Sequence, residues 1–289
     1  MLKYIFISAL LFFIVSCNSV DKNKSYRTIT VSIDPQKYFA EKLLPANYKI
    51  NVVVKSGYNP ESYEPSTVQM SQLEDADLYL EVCEGGFDEI WIKKLKEIHP
   101  DLKVYSLSKG IDLIQNEHHS FSHNHIIDPH IWVSPSTARI MVENMKNCFL
   151  ENYPDDSVFI NNSYSKLNLE LVSVDSTFKI KLDPFKNRKF MTYHPVYSYL
   201  ARDYNLQQIS LEQDGKEPSV AYLAKIINEA KNKNISVVFV QKEFDVKNAE
   251  ALSKETNAKV VTVNPLNEEW FNETNNFLKH LIESFEITN

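Results

Sequence analysis

The sequence predicts an α/β protein in which two parallel-sheet lobes are bridged by a long rigid helix. Three observations carry this. From Thr28 onward, short β-branched or apolar runs alternate with longer helical patterns, the rhythm of βαβ units. That rhythm breaks off after four runs and restarts beyond Asp183. Between the two sets, residues 156–182 carry Tyr164, Leu167, Leu171, Val174, Phe178 and Leu182 at three- and four-residue spacing, one face of a single helix. A chain of 289 residues is long enough for two domains and a sizeable core without disulfide support.

The N-terminus reads as an address. Met1-Leu2-Lys3 is followed by an apolar run from Tyr4 to Val15, shorter than a comfortable membrane span of about 20 residues, so residues 1–16 are expected to be a secretory signal. Ile14-Val15-Ser16-Cys17 resembles a bacterial lipobox, which would leave Cys17 lipidated. Two acyl chains on one cysteine anchor stably, because each buried CH₂ contributes about 0.8 kcal/mol. Residues 17–27 would then be the lipidated cysteine and a polar tether, and the expected location is a membrane-anchored lipoprotein facing the periplasm or the cell exterior. Removing residues 1–16 takes away only Lys3 and moves the formal charge from -7 to -8.

In the N-terminal lobe, residues 28–155, strand-like runs fall at 28–33, 50–54, 76–82 and 104–107. In the linking helix, residues 156–182, Asp155 or Asp156 can cap the start and Asp183-Pro184 can end it. Such a helix is about 40 Å long and would brace the lobes with little hinge freedom. The C-terminal lobe, residues 183–289, has strand-like runs at 189–192, 207–211, 236–240 and 259–263, with helical patterns at 220–230 and 249–255 among them. No internal repeat is evident. Cys83 and Cys148 read as buried free thiols, with a single disulfide as the alternative.

Composition removes several function classes. The charge of -7 opposes nonspecific nucleic-acid binding and suits a small cationic ligand. Only five glycines occur, at 57, 85, 86, 110 and 215, and none frames a phosphate-binding loop.

Ligands of open α/β sheets sit beyond the carboxyl ends of strands. Four proline-stiffened turns occupy such places: Gly57 to Pro65, Asp128-Pro129-His130-Ile131-Trp132 with Ser134-Pro135, Tyr193-His194-Pro195, and Asn264-Pro265-Leu266. His130 and His194 stand in matched positions on the two lobes, which points to one shared metal ion. His99, in a polar loop, and His280, on a charged terminal helix, read as structural.

These motifs, with Tyr199 and Glu217-Pro218-Ser219, resemble those of the metal-binding lipoproteins of zinc and manganese ABC importers, the cluster A-I solute-binding proteins. The resemblance runs from about Thr28 to the C-terminus and implies two α/β lobes joined by a rigid helix. It places the second and third metal ligands at His130 and His194. The family's usual first ligand is a histidine, and Glu61 occupies that position; the usual fourth is acidic, and Asn264 occupies it. A carboxylate still binds Zn²⁺ at about 2.0–2.2 Å. The weaker amide leaves the fourth position open to water or to Glu243, Glu212 or Asp245, while Trp132, Tyr63 and Tyr193 are expected to wall the site against water.

His118, His119, His123 and His125 cluster within residues 116–125, just before the Asp-Pro-His motif, and resemble the histidine-rich accessory loop of the family's zinc members. Imidazoles favour zinc; Glu61 pulls toward manganese, the alternative cargo. The expected function is capture of Zn²⁺ between the lobes and delivery to an ABC permease with its ATPase subunit, by a monomer with no catalysis of its own. Two alternatives use the same residues differently: a surface metallohydrolase, or a degenerate adhesin or scaffold without metal. In every metal-binding version acidification releases the ion, since histidine must be neutral to coordinate and its reference pKa is near 6.5.

Overall fold

The computed structural model describes residues 27–54, 57–115, 127–212 and 216–288. The expected signal segment, Cys17 and the histidines at 118, 119, 123 and 125 lie outside the described residues. Each lobe holds a four-stranded, all-parallel sheet with the same strand order. In the first, β1 (Arg27–Val31), β2 (Tyr48–Val52), β3 (Leu78–Glu81) and β4 (Lys103–Ser106) are ordered β2-β1-β3-β4. In the second, β5 (Lys189–Thr192), β6 (Gln207–Ser210), β7 (Val237–Gln241) and β8 (Lys259–Val263) are ordered β6-β5-β7-β8. The architectural repeat shows in the sequence as a restarted rhythm but not as a repeat of residues, because a shared strand order constrains which positions are apolar rather than which residues fill them.

Central strands are the apolar ones, as burial on both faces requires. Val237 to Gln241 of β7 are all buried, whereas edge strand β4 is exposed at its start and half-buried along the rest. The period-two alternation of β7 sends Phe239 into the main core and Val238 and Val240 into a smaller core on the sheet's other face. The main core is continuous across both lobes: Ile29 and Phe39 of the first belong to the same cluster as Phe190 and Phe285 of the second.

Helices α1 (Asp34–Leu43), α2 (Thr67–Leu73) and α3 (Glu89–Ile98) serve the first lobe, and α4 (Pro135–Asn152) packs along α5 (Ser157–Leu182), the 26-residue bridging helix. Of the stripe read from spacing, Leu167, Leu171, Val174, Phe178 and Leu182 are buried and Tyr164 is half-buried. Asp156 does occupy the cap position of α5, but its carboxylate makes no capping bond. It accepts instead from Tyr48 Oη at 2.5 Å, with Arg27 Nη1 at 3.5 Å, tying the helix start to β1 and β2.

The second lobe adds α6 (Ser198–Asp203), α7 (Val220–Asn232), α8 (Lys247–Thr256) and α9 (Trp270–Thr288). Ser219 of the Glu-Pro-Ser motif caps α7 by accepting from the Tyr222 backbone N–H. Helix α9 reaches both lobes, with Trp270 against Phe39 and Phe277 stacked on Tyr197. Cys83 and Cys148 are free, buried thiols. Among the described residues no helix is long and apolar enough to cross a membrane.

Candidate metal centre

The C-terminal ends of the strands converge on one buried group. Beyond β2, Asn59 accepts the Glu61 backbone N–H on its side chain at 3.0 Å, and Pro60 opens a short 3₁₀ turn, Pro60–Ser62. Proline's fixed φ and the asparagine bond together hold Glu61 in place. The Glu61 side chain is only 7% exposed.

His130 is set by its own motif. Asp128 Oδ1 accepts both the His130 backbone N–H at 2.9 Å and the ring Nδ1–H at 2.8 Å. The Asp128 carbonyl in turn accepts from Tyr199 Oη of α6 at 2.7 Å. Past His130 the chain makes a 3₁₀ turn, Ile131–Val133, and enters α4 at Pro135.

His194, one residue beyond Tyr193 at the end of β5, is held by its neighbours on either side in the sheet. Gln241, the last residue of β7, accepts the His194 backbone N–H at 3.1 Å and donates Nε2–H to the His194 carbonyl at 2.7 Å. Glu212, beyond β6, accepts from Nδ1 at 2.6 Å. Phe244 stacks on the ring, centroids 5.4 Å apart and planes 18° from parallel.

With both Nδ1 atoms engaged by carboxylates, each ring presents Nε2 to Glu61. Glu61 Oε1 lies 3.7 Å from His130 Nε2 and 3.5 Å from His194 Nε2, and the two ring centroids are 5.2 Å apart. All three donor atoms lie within 4.8 Å of one another. Donors about 2.0–2.2 Å from a shared zinc ion at tetrahedral angles stand about 3.4 Å apart, so this spacing fits a coordination sphere after small inward shifts. Burial opposes a charge on His194, but attraction to Glu61 and the bond to Glu212 outweigh it and push the imidazole up to about 10.

The remaining expectations divide. Pro265 and Leu266 line the same cavity as His130, Trp132, His194 and Glu243, and Asn264, just before them, gives its backbone N–H to Glu273 at 2.7 Å. Of the three spare carboxylates, Glu212 stands behind His194, Asp245 is exposed and held by Lys247 Nζ at 2.9 Å, and Glu243 faces the cavity. Trp132 is a wall as expected, but Tyr63 packs on Tyr58 and Trp91, and Tyr193 packs on Phe244, which itself covers the ring. Phe244 and Gln241 had no sequence signal beyond their place at or just past the end of a strand.

Two tryptophans pin the lobes around this group. Trp132 Nε1 donates to the Pro265 carbonyl at 2.9 Å, and Trp270 Nε1 donates to the Trp132 carbonyl at 2.8 Å.

The zinc-uptake complex component A family, ZnuA, matches residues 29–286 of this sequence. The chain belongs to that family. The ZnuA-type fold is seen in a crystal structure of ZnuA that superposes with a TM-score of 0.83 at 31% identity, covering 90% of this chain and 99% of that one. Zn(II)-bound AdcA of Streptococcus pneumoniae superposes with a TM-score of 0.77 at 25% identity, covering 90% and 58%. By sequence, the chain is 27% identical to the zinc-binding lipoprotein AdcA of Streptococcus pneumoniae over 88% of its length, and 26% identical to the high-affinity zinc uptake system protein ZnuA of Bacillus subtilis over 86%. It spans 53% of that AdcA and 81% of that ZnuA.

Proposed function

We propose that this ZnuA-family chain is an extracytoplasmic receptor that captures Zn²⁺ between its lobes and passes it to an ABC-type importer. One observation carries the reading: Nε2 of a histidine from each lobe flanks a buried carboxylate oxygen, with both second nitrogens already bonded to carboxylates. This is the arrangement by which proteins orient metal-ligating histidines and raise their basicity. Glu61, His130 and His194 would be the donors. Names of ZnuA-type relatives support zinc as the cargo. The negative net charge favours a cation's approach.

The bridging helix, the continuous core and the tryptophan bonds favour local rearrangement of the ligand turns over wide lobe opening. A permease that displaces the turn at Glu61 would lower the number of donors and free the ion, its ATPase subunit supplying the energy. Cys17 would hold the receptor at the membrane beside that permease.

The test is metal content by mass spectrometry of the chain from Asn18 onward. The wild type should hold about one tightly bound zinc ion, and His130→Ala and His194→Ala should each abolish it. Unchanged metal content in both variants would end the receptor reading.

A further inference from the structure

We propose that Glu243 supplies the fourth donor oxygen to the ion, taking over a position that Asn264 does not fill. This rests on the receptor reading above. Closed zinc sites take four ligands, and Glu61, His130 and His194 provide three.

The structure ranks the candidate carboxylates by what already occupies them. Asp128 and Glu212 are committed to the two Nδ1 atoms at 2.8 and 2.6 Å. Glu273 accepts the Asn264 backbone N–H, and Asp245 is exposed and bonded to Lys247. Glu243 is different. It lines the cavity with both imidazoles, and its Oε1 is buried with no hydrogen-bond partner among the described residues. A buried carboxylate oxygen without a donor is costly to the metal-free protein, and a cation in the cavity removes that cost.

The backbone also favours this residue. Residues 241–244 wrap His194: Gln241 clamps its main chain on both sides, and Phe244 stacks on its ring. Glu243 sits between those two contacts in the chain, which hold its backbone beside His194; its carboxylate stands outside the group of donors that lie within 4.8 Å of one another, so it would join the ion by turning inward. Asn264, by contrast, offers only a neutral amide, and its backbone N–H is given to Glu273 at 2.7 Å.

With Glu243 as the fourth donor, and the second carboxylate, the set is two nitrogens and two oxygens. Carboxylates accommodate Mn²⁺ better than imidazoles do, so Glu243 would also weaken discrimination against manganese.

The experiment compares wild type, Glu243→Gln, Asn264→Ala and His194→Ala, each from Asn18 onward and freed of metal. Zn²⁺ and Mn²⁺ affinities are measured by chelator competition, and Co²⁺ is added as a spectroscopic probe. Loss of an outer partner of a metal site costs about 10–100-fold, so loss of a direct donor should cost at least about tenfold in zinc affinity. Glu243→Gln should show that loss, a larger one for manganese, and an altered cobalt absorption spectrum, while Asn264→Ala stays at wild-type values. Glu243→Asp, which keeps the charge with a shorter reach, should fall between wild type and Glu243→Gln, an order that a merely structural role would not produce. Wild-type affinities and an unchanged cobalt spectrum in Glu243→Gln overturn the proposal while leaving the receptor reading intact, provided His194→Ala loses zinc. Wild type without tight zinc overturns both.

Discussion

Glu212 Oε2 stands 2.6 Å from His194 Nδ1, so the nitrogen that His194 turns toward Glu61 is Nε2. Burial disfavours the imidazolium, yet Glu61 and Glu212 together raise it to about 10. At pH 7–8 the metal-free protein therefore carries a proton on Nε2 that an incoming ion must displace.

Zinc binding at pH 8 should release about one proton from this residue, and affinity should climb about tenfold per pH unit between pH 7 and 9, flattening as pH passes about 10. Calorimetry in buffers of different ionisation enthalpy reads the proton directly; a count near zero at pH 8 contradicts the assignment. The reference pKa near 6.5 alone would put this transition in mild acid, and the two carboxylates move it upward. The sign for folding runs the other way. A raised histidine stabilises the metal-free protein fully below the unfolded-state value near 6.5, and that contribution disappears as pH rises through about 10.

Replacing the orienting carboxylates should weaken zinc without removing a ligand. Glu212→Gln and Asp128→Asn are each expected to lower affinity about 10–100-fold. Glu212→Gln should in addition shift proton release to lower pH, because it removes one of the two charges that raise His194. Equal affinities in wild type and both variants would show that the rings hold their orientation unaided.

Tyr199 Oη links α6 to the first lobe by donating to the Asp128 carbonyl at 2.7 Å and accepting the Ile114 backbone N–H at 3.1 Å. Tyr199→Phe leaves both backbone groups without this partner and should cost about 1–3 kcal/mol in denaturant unfolding. Zinc should also dissociate faster, since Asp128 positions His130. Stability and dissociation rate both matching wild type would assign the tie no role.

Gln115 and Ile127, which flank the histidine-rich segment, form an antiparallel bridge, so the described chain is already closed on itself there. Exchanging residues 116–126 for a short Gly-Ser linker should therefore leave the melting temperature unchanged. One tight zinc site should remain, with weaker sites lost, in a titration to saturation. Loss of the tight site would mean that this segment helps form the main centre.

Much of this was legible in sequence. The strand at 259–263 and the bridging helix ending at Leu182 were readable from β-branched runs and helical spacing, and the restart of the rhythm after Asp183 announced the second lobe. Asp128 could be associated with His130 because only Pro129 separates them, and its fixed φ sets the turn between. Glu212 could not be matched to His194 across 18 residues: only the order β6-β5-β7-β8 sets β6 and β7 on either side of β5. The same order wraps Gln241 and Phe244 around the ring.

Sequence alone thus determined the alternating α/β architecture, the bridging helix and the two histidine turns, because each depends on residues near in the chain whose spacing or fixed φ is a local property. Which carboxylate backs His194, which one faces the cavity, and that Asp156 ties down β1 and β2 instead of capping its helix were decided by tertiary structure. Those choices depend on strand order and on burial, which assign partners to polar groups across long stretches of chain and leave no periodic mark in the sequence.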